Sequence, residues 1–382
     1  MEDELHPALL PAGLRDLLPP DAAIEAAVVE RLMAVLASHG YERVKPPLLE
    51  FEASLLGGSG AAMAQETFRL LDPASHRMIG IRADMTLQIA RIATARLVKS
   101  PRPLRLAYAG QVLRVRGTQL RPERQFGQVG AELIGSDLAT ADAEVISLAA
   151  ETLTALGVAG LSIDLSLPTL VPAILAALGV GEEAARRLRT ALDHKDAAAL
   201  AAVGGDAAML LARLMGAAGT ADRALAALAD IALPEDARAE RDRLAEIVVL
   251  LRRLGPTVSL TVDPVENRGF EYHTGVTFTV FARGIRGELG RGGRYRAGNG
   301  AVTESATGFT LYTDTVLRGV PPAPPARRIF LPLDTAPGDA AALRRDGWVT
   351  VAALEPGDPA EAAARLGCSH VWTGGAPRAL PV

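Results

Sequence analysis

The sequence predicts an α+β fold with a helical insertion and a small C-terminal α/β appendix. Three observations predict it. Strand text and single amphipathic helices fill residues 1–167 and return over 256–319. Between them, residues 168–255 turn to Ala- and Leu-rich helical text broken at Gly204-Gly205, Gly216 and Gly219. In the last stretch, 320–382, strands and short helices alternate after the run VPPAPPARR, Val320–Arg328. Segregated strand and helix text argues α+β, and strict alternation argues α/β. The proline-rich run reads as a stiff linker.

In chain order, Asp21 after Pro19-Pro20 is placed to cap a helix in which Ile24, Val28, Leu32, Val35 and Leu36 recur at helical spacing, and Gly40 closes it. Tyr41–Leu49 reads as a strand interrupted by Pro46-Pro47, which belongs at a sheet edge because proline lacks a ladder donor. A helix feeding such an edge leaves a seam that a second copy of the chain can cover. Thr67–Leu71 and Met78–Arg82 form a hairpin around Asp72-Pro73, and Asp84 or Thr86 starts a helix carrying Leu87, Ile89, Ile92 and Leu97. Leu104–Leu113 is a strand that runs into Arg114 and a loop containing Arg116, Arg121 and Arg124. In the next strand, Phe126, Gln128, Gly130 and Glu132 fall on one face by the period of two. Polar groups beside a glycine floor suit a small amphoteric ligand. A plain hairpin with a solvated basic loop explains the same text.

Ala141–Leu156 is a helix ended by Gly157, and Leu161–Leu165, Val258–Asp263 and Tyr272–Ala282 are strands. The glycine-dense stretch Gly287–Gly300 is either a hairpin turn or a strand that needs close backbone approach. Val302–Gly308 leads into an apolar segment, Phe309–Leu317. In the appendix, Ile329–Leu333, Val349–Ala353 and His370–Trp372 read as strands separated by two short helices.

The 382 residues are 49% hydrophobic, enough for a large core and more than one domain. A net charge of −4 carries no global basic field for nucleic acid. The lone Cys368 excludes an internal disulfide and a cysteine metal cage, and six scattered histidines offer no metal-ligand spacing. No uncharged apolar run is long enough to span a bilayer, and the acidic start MEDELHPALL is unlike a secretory signal. A cytoplasmic protein without cofactor or metal is expected. Neither a phosphate-binding GxxxxGK[ST] loop nor a GxSxG elbow occurs.

Three further segments have the chemistry to line a pocket with Gln128 and Glu132. Asp84 and Thr86 put a carboxylate and a hydroxyl at a strand-to-helix junction, where helix capping is the common use of both. Arg268, beside Gly269, suits bidentate recognition of a carboxylate, and equally a surface ion pair. Tyr295 in the glycine-dense stretch can contact a ligand or simply pack.

Over residues 8 to 317 the chain resembles the catalytic core of class II histidyl-tRNA synthetases. The resemblance rests on GYERVKPPLLE with Pro47, then IRADMT, the stretch from Arg114 through Gln128 to Glu132, then NRGFEYHTG and GGRY. It implies an antiparallel sheet flanked by helices and a homodimer formed through the first motif. It also implies a histidine pocket on Asp84, Thr86, Gln128, Glu132, Arg268, Tyr272 and Tyr295, with Arg114 as the second motif's arginine.

Departures from the family pattern bear on function. Arg116 stands where an acid helps hold adenine, Thr315 stands where an arginine addresses ATP, and Tyr312 replaces a small residue. His273 replaces the second Tyr of RGxDYY, and Arg296 replaces the Asp after GGRY. Activation by ATP depends on cations that stabilise developing phosphate charge. The pattern is similar to the synthetase paralogues that serve as regulatory subunits of short-form ATP phosphoribosyltransferase. That likeness implies no catalysis by this chain, a catalytic phosphoribosyltransferase subunit as partner, histidine feedback control and no grip on tRNA. An active compact synthetase, or a histidine-binding pseudo-synthetase with another partner, is the alternative.

Overall fold

The structure, a computed structural model, describes residues 8–57, 63–118, 121–252, 258–266, 272–299, 302–322 and 324–381. The chain divides into two compact units, Met1–Pro321 and Pro322–Val382.

The first unit begins with α1 (Asp21–Ser38), which buries Val28, Leu32, Met33 and Leu36 on one stripe. Asp21 is its first helical residue and not its cap; Pro20 holds the cap position without a side-chain bond. Gly40 ends it at φ +80, a left-handed conformation that glycine adopts without strain. The two prolines then split the expected strand into β1 (Glu42–Arg43) and β2 (Leu49–Phe51). After α2 (Glu52–Leu55), the expected hairpin forms from β3 (Arg69–Leu71) and β4 (Met78–Ile81). With β2 it makes a separate antiparallel sheet of order β2-β4-β3.

Next come α3 (Thr86–Ala95), β5 (Leu104–Leu113), β6 (Gln125–Ile134), α4 (Ala139–Ala155) and β7 (Leu161–Ser166). The Ala- and Leu-rich stretch supplies α5 (Leu170–Ala177), α6 (Glu182–Asp193), α7 (Ala197–Val203) and α8 (Gly205–Gly216). It continues with the two-residue strand β8 (Gly219–Thr220), α9 (Ala221–Ala229) and α10 (Glu235–Leu251). Strands return as β9 (Ser259–Asp263), β10 (His273–Ala282), β11 (Gly290–Asn299) and β12 (Val302–Tyr312), and the unit closes on α11 (Thr313–Val316).

Among the described residues the main sheet has nine strands in the order β1-β5-β6-β12-β11-β10-β7-β9-β8. Its pairings are antiparallel except at β1–β5 and β7–β9, so the sheet is mixed at its margins. The glycine-dense stretch is a strand, paired with β10 and β12, and at Gly292 the neighbouring strands leave no room for a side chain. A Cβ on Gly292 would sit 2.2 Å from the Gly308 carbonyl oxygen and 2.8 Å from the Phe278 ring.

The sheet buries both faces. On one side, α1, α4 and the helices of residues 168–255 share a contiguous apolar cluster with it, including Ile146, Leu188, Leu211, Leu244 and Phe278. On the other, α3 covers Tyr108, Phe126, Tyr295 and Tyr312. One charged network crosses the first layer. Asp142 on α4 accepts from Arg294 Nε at 3.0 Å, Thr307 Oγ1 at 2.6 Å and Arg243 Nη2 at 2.9 Å. Arg294 also donates to the Ser136 and Leu138 carbonyls.

The second unit contains β13 (Arg328–Leu331), α12 (Pro337–Arg345), β14 (Val349–Ala352), α13 (Pro359–Arg365), β15 (His370–Trp372) and β16 (Pro377–Ala379). Its sheet order is β14-β13-β15-β16, the first three strands parallel and the last antiparallel. The sequence reading missed β16, whose three residues include a proline and show no apolar alternation. Cys368 is buried in this unit's core. Among the described residues no helix is long and apolar enough to cross a membrane.

Candidate functional site

The site lies on the α3 side of the sheet, where β5, β6, β12 and β11 run side by side and the segment before α3 crosses above them. Gln128 fixes that crossing. Its Nε2 donates to Asp84 Oδ2 at 2.8 Å, and its Oε1 accepts from the Met85 amide at 3.0 Å. Asp84 also accepts from the Thr86 amide at 2.8 Å, a turn just ahead of the helix rather than the cap open to it from sequence, since Met85 holds the cap position. One carboxylate thus ties a helix start to a strand.

Further along β6, Glu132 accepts from the Tyr108 hydroxyl at 3.2 Å and the Tyr295 hydroxyl at 3.0 Å. Tyr108 also meets Thr310 Oγ1 at 2.7 Å and Thr86 Oγ1 at 3.2 Å. Gly130 makes room for the Tyr108 ring: a Cβ there would sit 2.4 Å from its hydroxyl. Tyr272 closes the top, edge-on to Tyr295 with ring centres 6.2 Å apart and stacked on His273 at 4.0 Å.

Between these groups lies a cavity of about 40 Å³, with Asp84, Thr86, Glu132, Tyr272, Tyr295 and Tyr312 in its wall. At 10–15 Å³ per water this is room for about three waters, well below the ~300 Å³ from which ligand pockets start. The structure thus brings Asp84, Thr86, Glu132, Tyr272 and Tyr295 together around one small space. Gln128 stands behind it as a support. Arg114 is not in the wall: its Nε donates to the Ala83 carbonyl at 3.3 Å, and its guanidinium lies 5.1 Å from the Phe126 ring centre. Arg268 lies outside the described residues.

Sequence reasoning missed Tyr108, Thr310 and Gly308. The signal was the hairpin register, which sets Tyr108 opposite Gly130, and Gly308 opposite Glu132. A glycine facing a bulky side chain marks a filled space rather than an empty floor.

Burial pushes the Glu132 carboxyl up to about 8, the Tyr295 hydroxyl pulling it down and Asp84 adding to the rise. The group is therefore protonated at neutral pH when folded and ionised when unfolded. Its contribution to stability is fully present below pH 4.5 and is lost as pH rises through about 8. The slope is at most about 1.4 kcal/mol per pH unit for one proton. Glu132→Gln removes this titration. Unfolding measured from pH 4.5 to 8 is expected to show wild type losing ground steadily against E132Q; parallel profiles would contradict the assignment.

The sequence model of the histidyl-tRNA synthetase family matches residues 13–316. The chain is 61% identical to an ATP phosphoribosyltransferase regulatory subunit of Rhodospirillum centenum, over 98% of this chain and 97% of that protein. It is 52% identical to another so named from Rhodospirillum rubrum, over 95% of both. In fold it is similar to the crystal structure of an ATP phosphoribosyltransferase regulatory subunit/histidyl-tRNA synthetase from Bacillus halodurans, at TM-score 0.81 and 24% identity, covering 94% of this chain and 96% of that one. It is also similar to histidyl-tRNA synthetase from Nostoc, at TM-score 0.77 and 16% identity, covering 95% and 90%.

Proposed function

The chain belongs to the histidyl-tRNA synthetase family and, within it, to the ATP phosphoribosyltransferase regulatory subunits, and on that premise we propose that it is a non-catalytic cytoplasmic subunit required for the activity of a short-form ATP phosphoribosyltransferase and for its feedback control by histidine. The observation that carries this reading is full-length kinship combined with Thr315 and Arg116 at two positions where activation by ATP calls for an arginine and an acid. The partner is the catalytic phosphoribosyltransferase subunit, and neither tRNA nor a membrane is involved.

A homodimer through the first motif is supported by apolar surface on and beside the small sheet. Leu48, Leu49, Phe51, Leu70, Leu71 and Met78 are all exposed there. An apolar patch of that kind on a water-facing sheet marks an interaction surface. Histidine is the effector in this reading. Seating it on Asp84, Thr86, Gln128, Glu132, Tyr272 and Tyr295, with Arg114 and Arg268 as further candidate contacts, requires the small cavity to widen. Binding is then coupled to a change of state, as a regulator's must be. The test is reconstitution: mixed with the catalytic subunit, the chain is expected to co-elute with it as one complex and to raise its turnover.

A further inference from the structure

In the second unit the chain leaves β13 through α12 for β14 on one side, and leaves β14 through α13 for β15 on the other. The two helices cover opposite faces of the sheet. Leu343 of α12 shares an apolar cluster with Ile329, Leu331 and Trp372, and Ala363 of α13 shares another with Phe330 and Val371. The chain therefore departs in opposite directions at the carboxyl ends of β13 and β15, the kind of crevice where open parallel sheets seat their ligands. A cavity of about 830 Å³ lies there, walled by the segments that follow β13 and β15, the starts of α12 and α13, and β16. That volume falls inside the range of about 300–1,000 Å³ usual for ligand pockets.

The wall carries charge that the fold leaves unspent. Asp334 stands in the loop before α12, Asp339 in the first turn of α12 and Asp358 at the cap of α13. Arg378, opposite Val371 on β16, is the one cation among the described wall residues. Among the described residues no hydrogen bond or ion pair engages the side chain of Asp334, Asp339 or Arg378. Asp358 spends one oxygen on the Ala360 and Glu361 amides. Two other wall residues, Thr335 and Trp372, hold a buried hydroxyl and a buried indole N–H without a partner among the described residues. Buried polar atoms are nearly always paired, so an unpaired pair beside one cavity marks a wall completed from outside the chain.

We propose that this cavity binds a free basic amino acid, with its cationic groups on the aspartates and its carboxylate on Arg378. Three carboxylates facing one guanidinium select a ligand with an excess of cationic groups and a single acid, and charge-assisted hydrogen bonds hold both ends. Guanidinium recognition of a carboxylate is bidentate, which fixes the ligand's direction. Val371, Trp372 and Leu380 supply apolar surface for the aliphatic carrier, and the space beyond one amino acid holds bridging water. All of these residues belong to the second unit, so this site and the histidine seat of the first unit can fail independently.

The only two tryptophans are Trp348 and Trp372, so Trp348→Phe leaves a single fluorophore in the cavity wall. The experiment titrates L-arginine into the full-length W348F chain and follows Trp372 emission, with circular dichroism to establish folding. A saturable change is expected, and L-norvaline, which lacks the cationic side chain, is expected to give none over the same range. In the W348F background, Asp334→Asn with Asp339→Asn is expected to weaken arginine by at least about tenfold, and Arg378→Gln by about tenfold, the usual worth of a hydrogen bond to a charged group. If the double variant does not fold, D334N alone reads the same dependence. No saturable signal with L-arginine, norvaline binding as tightly, or an affinity unchanged in the folded aspartate or R378Q variants overturns the proposal.

Discussion

Asp142→Ala is expected to destabilise the first unit by about 3–5 kcal/mol, the usual cost of leaving a buried charge without its partner. Asp142 and Arg294 have side chains 1% and 6% exposed, 152 residues apart in sequence. The aspartate takes bonds from Arg294, Arg243 and Thr307 together, so its loss strands a guanidinium between α4, β11 and β12. Asp142→Asn keeps an acceptor without the charge and should fall between. The double change Asp142→Ala with Arg294→Leu should cost clearly less than the sum of the two single changes, because removing both partners leaves no orphan. Urea unfolding followed by far-ultraviolet circular dichroism reads this. Tryptophan fluorescence does not, because Trp348 and Trp372 both belong to the second unit.

Gly308→Ala is the second large effect. A Cβ at Gly308 would lie 1.6 Å from Glu132 Oε2 and 2.3 Å from its Cδ, so the carboxyl must leave its place. Overpacking of this kind costs about 1–3 kcal/mol. The Tyr295 hydroxyl loses its partner, at about 1–3 kcal/mol for a buried group left unpaired, while the Tyr108 hydroxyl keeps Thr310 and Thr86. In a Glu132→Ala background the same glycine change should be nearly neutral, because the clash is gone. Equal costs in the two backgrounds would show that Gly308 is not there to admit Glu132. Gly216→Ala, with no atom within 4 Å of the added carbon, is the control and should be neutral or slightly stabilising.

Much of the site was legible because a strand's period of two fixes faces. Phe126, Gln128, Gly130 and Glu132 share one in the structure as in the sequence. The cross-strand partners were harder to read, since they depend on register: nothing in β6 alone says that Tyr108 fills the space above Gly130. The glycine-dense stretch was ambiguous between turn and strand until Gly292 met the Gly308 carbonyl, a contact between different strands. Arg116, Arg121 and Arg124 look equivalent in a proline-containing loop. Arg121 turns inward onto Asp314, while Arg124 reaches the Ala12 carbonyl and Arg116 is exposed. That sorting is set by the N-terminal segment and α11, both far away in sequence. The strands β8 and β16 are too short to carry a periodic signal.

Whether this chain regulates rather than catalyses is tested most directly by the rate of a short-form ATP phosphoribosyltransferase catalytic subunit from the same source, alone and with this chain. A regulatory subunit should raise that rate on the order of tenfold or more, the rise being reversed by histidine, with no histidine-dependent exchange of pyrophosphate into ATP by the chain alone. A catalytic subunit indifferent to a molar excess of the folded chain, together with such exchange, would contradict the regulatory role.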